Sequence, residues 1–201
     1  MSFIKTILKN VFIKILNPVL ILFFSLFYDK RYLTGRHFTN SANGVIWCFK
    51  NILWQKLFRI NSNIPWPTSP FIRISNPDNI IFNPDDLNNF QTFGNYYQNF
   101  NAKIYIGHNS YIAPNVGIIT ANHNPLNLNE HLLGKDVIIG ENCWIGMNSI
   151  ILPGVKLGNQ TIVGAGSIVT KSFPEGHCII AGNPAKKIKS LSEILENKEK
   201  A

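Results

Sequence analysis

From Ile139 the chain reads IGENCWIGMNSIILPGVKLGNQTIVGAGSIV, with an aliphatic residue at every sixth position: Ile139, Ile145, Ile151, Leu157, Val163 and Val169. A helix repeats every 3.6 residues and a strand every 2, so neither element alone produces this period. The register is specified twice over. Two places before each new aliphatic stands a small or β-branched residue, Cys143, Ser149, Val155, Thr161 or Ser167, and Gly140, Gly146, Gly158 or Gly164 follows the aliphatic directly. Ile106, Ile112 and Ile118 carry the same phase upstream. Three six-residue sides make a triangular coil of short parallel strands, each aliphatic lying over its counterpart in the coil below. The predicted fold is therefore mainly β, a parallel β-helix, with small residues under its apices and glycines taking unusual φ at its corners. A β-sandwich is the alternative, but its strands alternate with period 2 and turn roughly every 8–12 residues.

The rhythm breaks once. From Ile118 to Ile139 is 21 residues, three more than a coil, and the intervening ANHNPLNLNEHLLGKD is polar and arrhythmic. A loop is expected to leave the coil just after His123, with residues 124–136 shaping whatever binds beside it. Between Phe71 and Phe100 a looser pattern predicts one or two further coils.

With 201 residues, 45% hydrophobic and 15% charged, the chain can bury a real core. Its predicted organisation is an N-terminal α-helical region over residues 1–70, a β-helix domain over 71–185 and a charged tail over 186–201. The net charge of +8 suggests an anionic partner: nucleic acid, a phospholipid surface or a phosphorylated small molecule. Cys48, Cys143 and Cys178 are odd in number and lack metal-ligand spacing, so neither a disulfide framework nor a metal site is expected, and a reducing compartment is the plain reading.

In the first region, FIKTILKNVFIKIL places Ile4, Ile7, Leu8, Val11, Phe12, Ile15 and Leu16 on one helical face and Lys5, Lys9 and Lys14 largely on the other. After Pro18 comes VLILFFSLFY, about half the ~20 apolar residues that a spanning helix needs. No small-residue cleavage site follows it, which argues against a secretory signal. The expectation is a helix lying in a membrane interface with its lysines on anionic headgroups. VIWCFKNILWQKLFRI offers a second such face carrying Trp47 and Trp54. The alternative is that these helices pack on the end of the coil or on each other.

ITANHNP, the outward loop, IGENCWIG, ILPGVKLG, VGAGSIVTKSFP and AGNPAKKIK follow in the order found in the hexapeptide-repeat acetyltransferases. The chain resembles that left-handed β-helix family, which includes galactoside, maltose and serine acetyltransferases, over roughly residues 85–189. The N-terminal DKRYLTGRHF is similar to bacterial enzymes that O-acetylate surface polysaccharides.

The resemblance implies a homotrimer that binds acetyl-CoA between neighbouring coils, as acyl donor, and transfers the acetyl group directly to an acceptor hydroxyl or amine. His123 matches the catalytic histidine: an imidazole can take the hydroxyl proton and return it to the departing thiolate. Asn99 matches an acceptor-binding asparagine, and Asn124 and His131, within the loop, are candidates to line the acceptor site. For acetyl-CoA the matches are Trp144 beside the CoA arm, Gly146 and Ala165 where backbone approaches pantetheine, Thr170 and Lys171 at the next corner, and Lys186 and Lys189 near the phosphates. Sugar acetyltransferases carry about one further hexapeptide after the asparagine, with an acidic residue. Here NFNAKIYIG runs straight on, which argues against simple galactosides or maltose.

The predicted function is O-acetylation of a sugar, in a surface polysaccharide or lipid-linked precursor, in the cytoplasm at the inner face of the membrane, with peripheral membrane contact. Two other readings remain. One is a non-catalytic β-helix scaffold or binding protein. The other is a metal-dependent carbonic anhydrase on the same coil, which would need three histidine ligands and could recruit His108 and His123. Nucleic acid is not an expected partner, because the basic residues gather at a membrane-like terminus and a CoA-like tail.

Overall fold

The computed structural model describes residues 16–199, which fall into two compact units on either side of the Pro70–Phe71 bond. The described part of the first unit is helical: α1 (Asn17–Phe24), α2 (Arg36–Thr39) and α3 (Asn43–Ile52), the last continued by a wider turn over Leu53–Leu57. Pro18 opens α1, where a missing N–H leaves no bond unmade. Phe24, Tyr28, Val45, Cys48, Ile64 and Trp66 form the interior of the unit. Buried Gln55 ties its end together, accepting from the Thr68 N–H at 3.1 Å and donating to the Trp66 carbonyl at 3.1 Å. The helix expected to begin at Ile4 lies, up to residue 15, outside the described residues. Trp47 and Trp54 part company: Trp47 turns onto the His37 ring, centroids 4.6 Å apart, while Trp54 stays exposed.

The second unit is a three-faced coil of parallel strands. One face stacks Arg73–Ile74, Tyr96–Gln98, Gly117–Ile119, Ile150–Ile151 and Ile168–Val169; a second stacks Ile80–Phe82, Ile104–Ile106, Val137–Ile139 and Lys156–Leu157. The third holds Tyr111–Ile112, Trp144–Ile145, Thr161–Val163 and Cys178–Gly182. Every aliphatic of the six-residue series from Ile106 to Val169 is at most 5% exposed, so together they form the core. Cys143, Ser149, Val155, Thr161 and Ser167 are buried beside them, and their polar atoms are satisfied locally: Ser149 Oγ donates to the Gly164 carbonyl and Thr161 Oγ1 to that of Gly158.

The corners differ from the expectation. Positive φ falls three places after the aliphatic, at Asn109, Asn115, Asn142, Asn148 and Gln160, rather than at the glycine just after it. Asparagine tolerates this left-handed conformation better than most residues. Gly140 and Gly146 serve a different need: a Cβ on Gly140 would lie 2.6 Å from Asn159 Oδ1, and one on Gly146 2.6 Å from the Ala165 nitrogen and the Val163 oxygen. These glycines let successive coils approach. Asn148→Val should therefore cost about 1–2 kcal/mol, the penalty of forcing a β-branched residue left-handed. Asn148→Gly should melt close to the parent protein, and comparison of the two melting temperatures checks the assignment.

Two boundaries also move. Ile118 and Ile139 sit on adjacent faces, so the excursion between them exceeds one six-residue side by 15 residues; the same corner registers as a 33-residue step from Ile106 to Ile139. Counted along the sequence alone, the two residues read as same-face neighbours. At the other end, the expected break at 185/186 cuts a strand, because Ala185–Ser190 pairs antiparallel with Cys178–Gly182 before α4 (Leu191–Glu199) begins. A run of lysines reads as a solvated tail, yet on an exposed edge strand lysine is the residue that keeps other strands away. In the N-terminal coils the segment Pro84–Phe90 replaces a strand, and Asn89 supplies the missing ladder with its side chain, donating to Ser110 O at 2.8 Å and accepting from Ile112 N at 2.9 Å.

Candidate active site

The excursion starts at a rigid root. Buried Gln98 accepts from the Thr120 and Ala121 N–H groups, both at 3.0 Å, and donates to the Ala121 carbonyl at 2.9 Å. The chain then folds into a hairpin, His123–Asn124 against Asn127–His131, closed by Leu132 N to Asn122 O and Lys135 N to Thr120 O, each 2.8 Å.

His123 is exposed, but its ring is held. Nδ1 lies 2.8 Å from the Leu128 carbonyl. A carbonyl only accepts, so Nδ1 carries the hydrogen and the lone pair of the neutral ring sits on Nε2. The imidazole of His131, its partner across the hairpin, stacks on it with centroids 4.1 Å apart, and Phe100 stands edge-on to His131 at 6.2 Å. The arrangement leaves Nε2 as an oriented proton acceptor. His131 therefore lies beside His123.

Asn99 and Asn124 behave differently from the expectation. Asn99 is fully buried, and both ends of its amide engage the Asn76 main chain, at 3.0 Å from N and 2.6 Å to O. Asn124 accepts from Leu126 N at 3.0 Å and donates to Glu130 at 3.3 Å, so its amide shapes the hairpin tip. Each asparagine holds a turn of this chain instead of presenting its amide to an acceptor.

The residues matched to acetyl-CoA divide between two surfaces. Tyr111, Trp144, Ile162, Ile179 and Lys189 are register partners and form one continuous row across the outside of the third face. Lys186 lies on the same edge strand and exposed Ala165 on the adjoining corner. Gly146 is buried, its missing side chain explained by the next coil rather than by a ligand. Among the described residues no carboxylate pairs with Lys186 or Lys189. Thr170 instead lines, with Asn122, Leu132, Leu133, Lys135, Leu152 and Pro153, a half-open cleft of about 210 Å³ at the root of the His123 hairpin, and Lys171 follows it in the chain.

Leu128, Lys135 and Tyr111 were not anticipated. The alternation in NLNEH was the available signal for the first, and Tyr111, just before Ile112 as Trp144 is before Ile145, for the last. His108 contacts buried Asp86 at 3.3 Å, and no three His, Cys, Asp or Glu among the described residues could hold a metal ion.

Residues 136–171 match the bacterial transferase hexapeptide family. A Saccharomyces cerevisiae protein provisionally named an acetyltransferase is 41% identical over 130 residues, 58% of this chain and 65% of its own. The galactoside O-acetyltransferase of Escherichia coli is 38% identical over 108 residues, 49% of this chain and 53% of its own. A galactoside acetyltransferase solved in complex with coenzyme A superposes with a TM-score of 0.54 and 30% identity, covering 65% of this chain and 64% of that one. The coil is thus of the left-handed kind. The chain spans between half and two thirds of the length of these curated relatives.

Proposed function

We infer that this chain, which carries a hexapeptide-repeat transferase domain, is an acetyl-CoA-dependent O-acetyltransferase acting on a sugar hydroxyl, with His123 as its base. The observation that carries the reading is the Nδ1 contact to the Leu128 carbonyl, which leaves the ring's lone pair on Nε2 of an exposed side chain. In the reaction Nε2 takes the proton of the acceptor hydroxyl as its oxygen bonds to the acetyl carbon. The carbon–sulfur bond then breaks, and the imidazolium returns the proton to the thiolate. The likeness to a galactoside acetyltransferase solved with coenzyme A supports acetyl-CoA as donor and a sugar as acceptor.

His123 projects from the corner between the first and second faces, and the Trp144–Lys189 row lies on the third, which a triangular coil turns away from that corner. Within one chain the two therefore face different ways. A homotrimer in which one copy's hairpin faces the next copy's row would complete the site, with Thr170 and Lys171 on one side and Trp144, Ala165, Lys186 and Lys189 on the other. The missing hexapeptide after Asn99 favours a polysaccharide or lipid-linked acceptor over a simple galactoside.

Thiol release from acetyl-CoA with a panel of glycans tests the function. No turnover with any of them, alongside intact CoA binding, would instead make the protein a β-helix binding module. The row makes a separate prediction. Lys186→Ala with Lys189→Ala should raise KM for acetyl-CoA by roughly tenfold with kcat little changed, since exposed charge-assisted bonds to phosphate contribute binding alone. With acetyl-pantetheine, which lacks the nucleotide phosphates, the double variant and the parent should coincide.

A further inference from the structure

The positive charge of this chain is segregated. Residues 1–70 hold nine of its 19 Lys and Arg but one of its 11 Asp and Glu, while residues 71–201 hold ten of each. The single acid, Asp29, is engaged by Arg31 at 2.7 Å.

The same unit leaves an apolar face uncovered. On α1 and the turn after it, Val19, Leu22, Phe23 and Leu26 recur at helical spacing and are 47–77% exposed, whereas Asn17, Phe24 and Tyr28 on the opposite side are buried. On α3 and its continuation, Ile46, Phe49, Leu53, Trp54, Leu57 and Phe58 form a second stripe, 39–68% exposed, again opposite a buried line through Val45, Cys48 and Gln55. Buried Phe24 bridges the stripes from beneath, its ring 5.3 Å from that of Phe23 on the first and 4.7 Å from that of Phe49 on the second. Two stripes of this size, each backed by a finished interior, exceed the scattered apolar exposure of an ordinary surface. Lys50 lies within the second stripe, Arg59 at its end, and Lys56 packs its ammonium 5.1 Å over the Tyr28 ring beside it.

We propose that this outward face of α1 and α3 docks on a bilayer with anionic headgroups, such as the inner leaflet of a cytoplasmic membrane. Charge chooses the occupant. A second copy would bring two strongly cationic units together, while an anionic surface gains from each Lys and Arg. No described helix is long and apolar enough to cross a membrane, so the helices lie in the interface with their apolar stripes toward the acyl chains and the basic residues at headgroup level. Trp54, an amphipathic ring on the stripe, suits that depth.

Flotation of the full chain with phosphatidylcholine vesicles, with and without phosphatidylglycerol, tests this. The chain should float with the anionic vesicles, less so at high salt, and acyl chains bearing bromine should quench its fluorescence, a response that Trp54→Leu should largely abolish. Leu22→Glu with Leu57→Glu, both at exposed positions, should weaken vesicle binding by at least about tenfold while leaving the circular dichroism and melting temperature unchanged. A full chain that stays in solution beside anionic vesicles overturns the proposal. So does a double variant that binds as the parent does, or one that loses oligomeric mass in light scattering, which would assign the face to contacts between copies. None of these readouts depends on acyl transfer.

Discussion

His123→Ala should lower acetyl turnover by roughly 100-fold to 10,000-fold, the usual span for removing a general base, while leaving the affinity for acetyl-CoA nearly unchanged. The two quantities separate because of where the side chain sits. The ring is exposed on a hairpin whose root is held by Gln98, Asn122 and Lys135, and whose tip is held by Asn124 and Glu130, so removing the imidazole breaks one side-chain contact, to Leu128, and one stacking contact, to His131. The melting temperature should change little. The row from Trp144 to Lys189, on another face, is untouched. Single-turnover measurements with bound acetyl-CoA isolate the chemical step, and a rate within a few-fold of the parent would remove His123 as the base. His123→Asn provides the control for geometry: an amide can still donate to the Leu128 carbonyl but has no basic nitrogen, so it should be as slow as alanine.

Ile151→Asp should prevent folding. Ile151 is fully buried on the first face, flanked in register by Ile118 and Val169 in the coils below and above, both also fully buried. The loss of the side chain alone would cost about 2–5 kcal/mol, and an unpaired carboxyl among aliphatics adds several more. Against a total stability of about 5–15 kcal/mol, that leaves little or nothing. The neighbouring Ile150 supplies the comparison. It is 36% exposed on the outside of the same strand, so Ile150→Asp should fold and stay soluble. Soluble, cooperatively melting Ile151→Asp protein would show that the six-residue register points the wrong side chains inward.

That register was fully legible. Each aliphatic packs on its counterpart one coil away, every coil poses the same steric problem, and the repeated answer is visible as a period. The presence of the hairpin was legible too, since a polar stretch without rhythm cannot continue the coil. But the chain leaves the coil before His123, which is a hairpin residue and not the last of the coil, and the excursion is longer than the count suggests because Ile118 and Ile139 lie on adjacent faces. The glycines were legible in position but not in cause. Close approach between coils needs an absent side chain as surely as positive φ does, and one sequence does not distinguish them. The lysines of the edge strand read as a tail because an edge strand and a solvated tail favour the same residues.

The sequence by itself thus determined the coil, its phase, the departure of the chain beside His123 and the concentration of charge in residues 1–70, because each is a property of neighbours in the chain or of composition. The tertiary structure alone decided which way the polar side chains face. Asn99 meets Asn76, Gln98 meets Ala121 and Ser110 meets Gly140, partners 23 to 30 residues apart that become neighbours once the coils stack. It likewise decided that the Leu128 carbonyl orients His123, and that the apolar stripes of α1 and α3 point away from their own core. A hydrogen bond has direction as well as range, and that direction is set by backbone brought together in space, which no local pattern of residue types records.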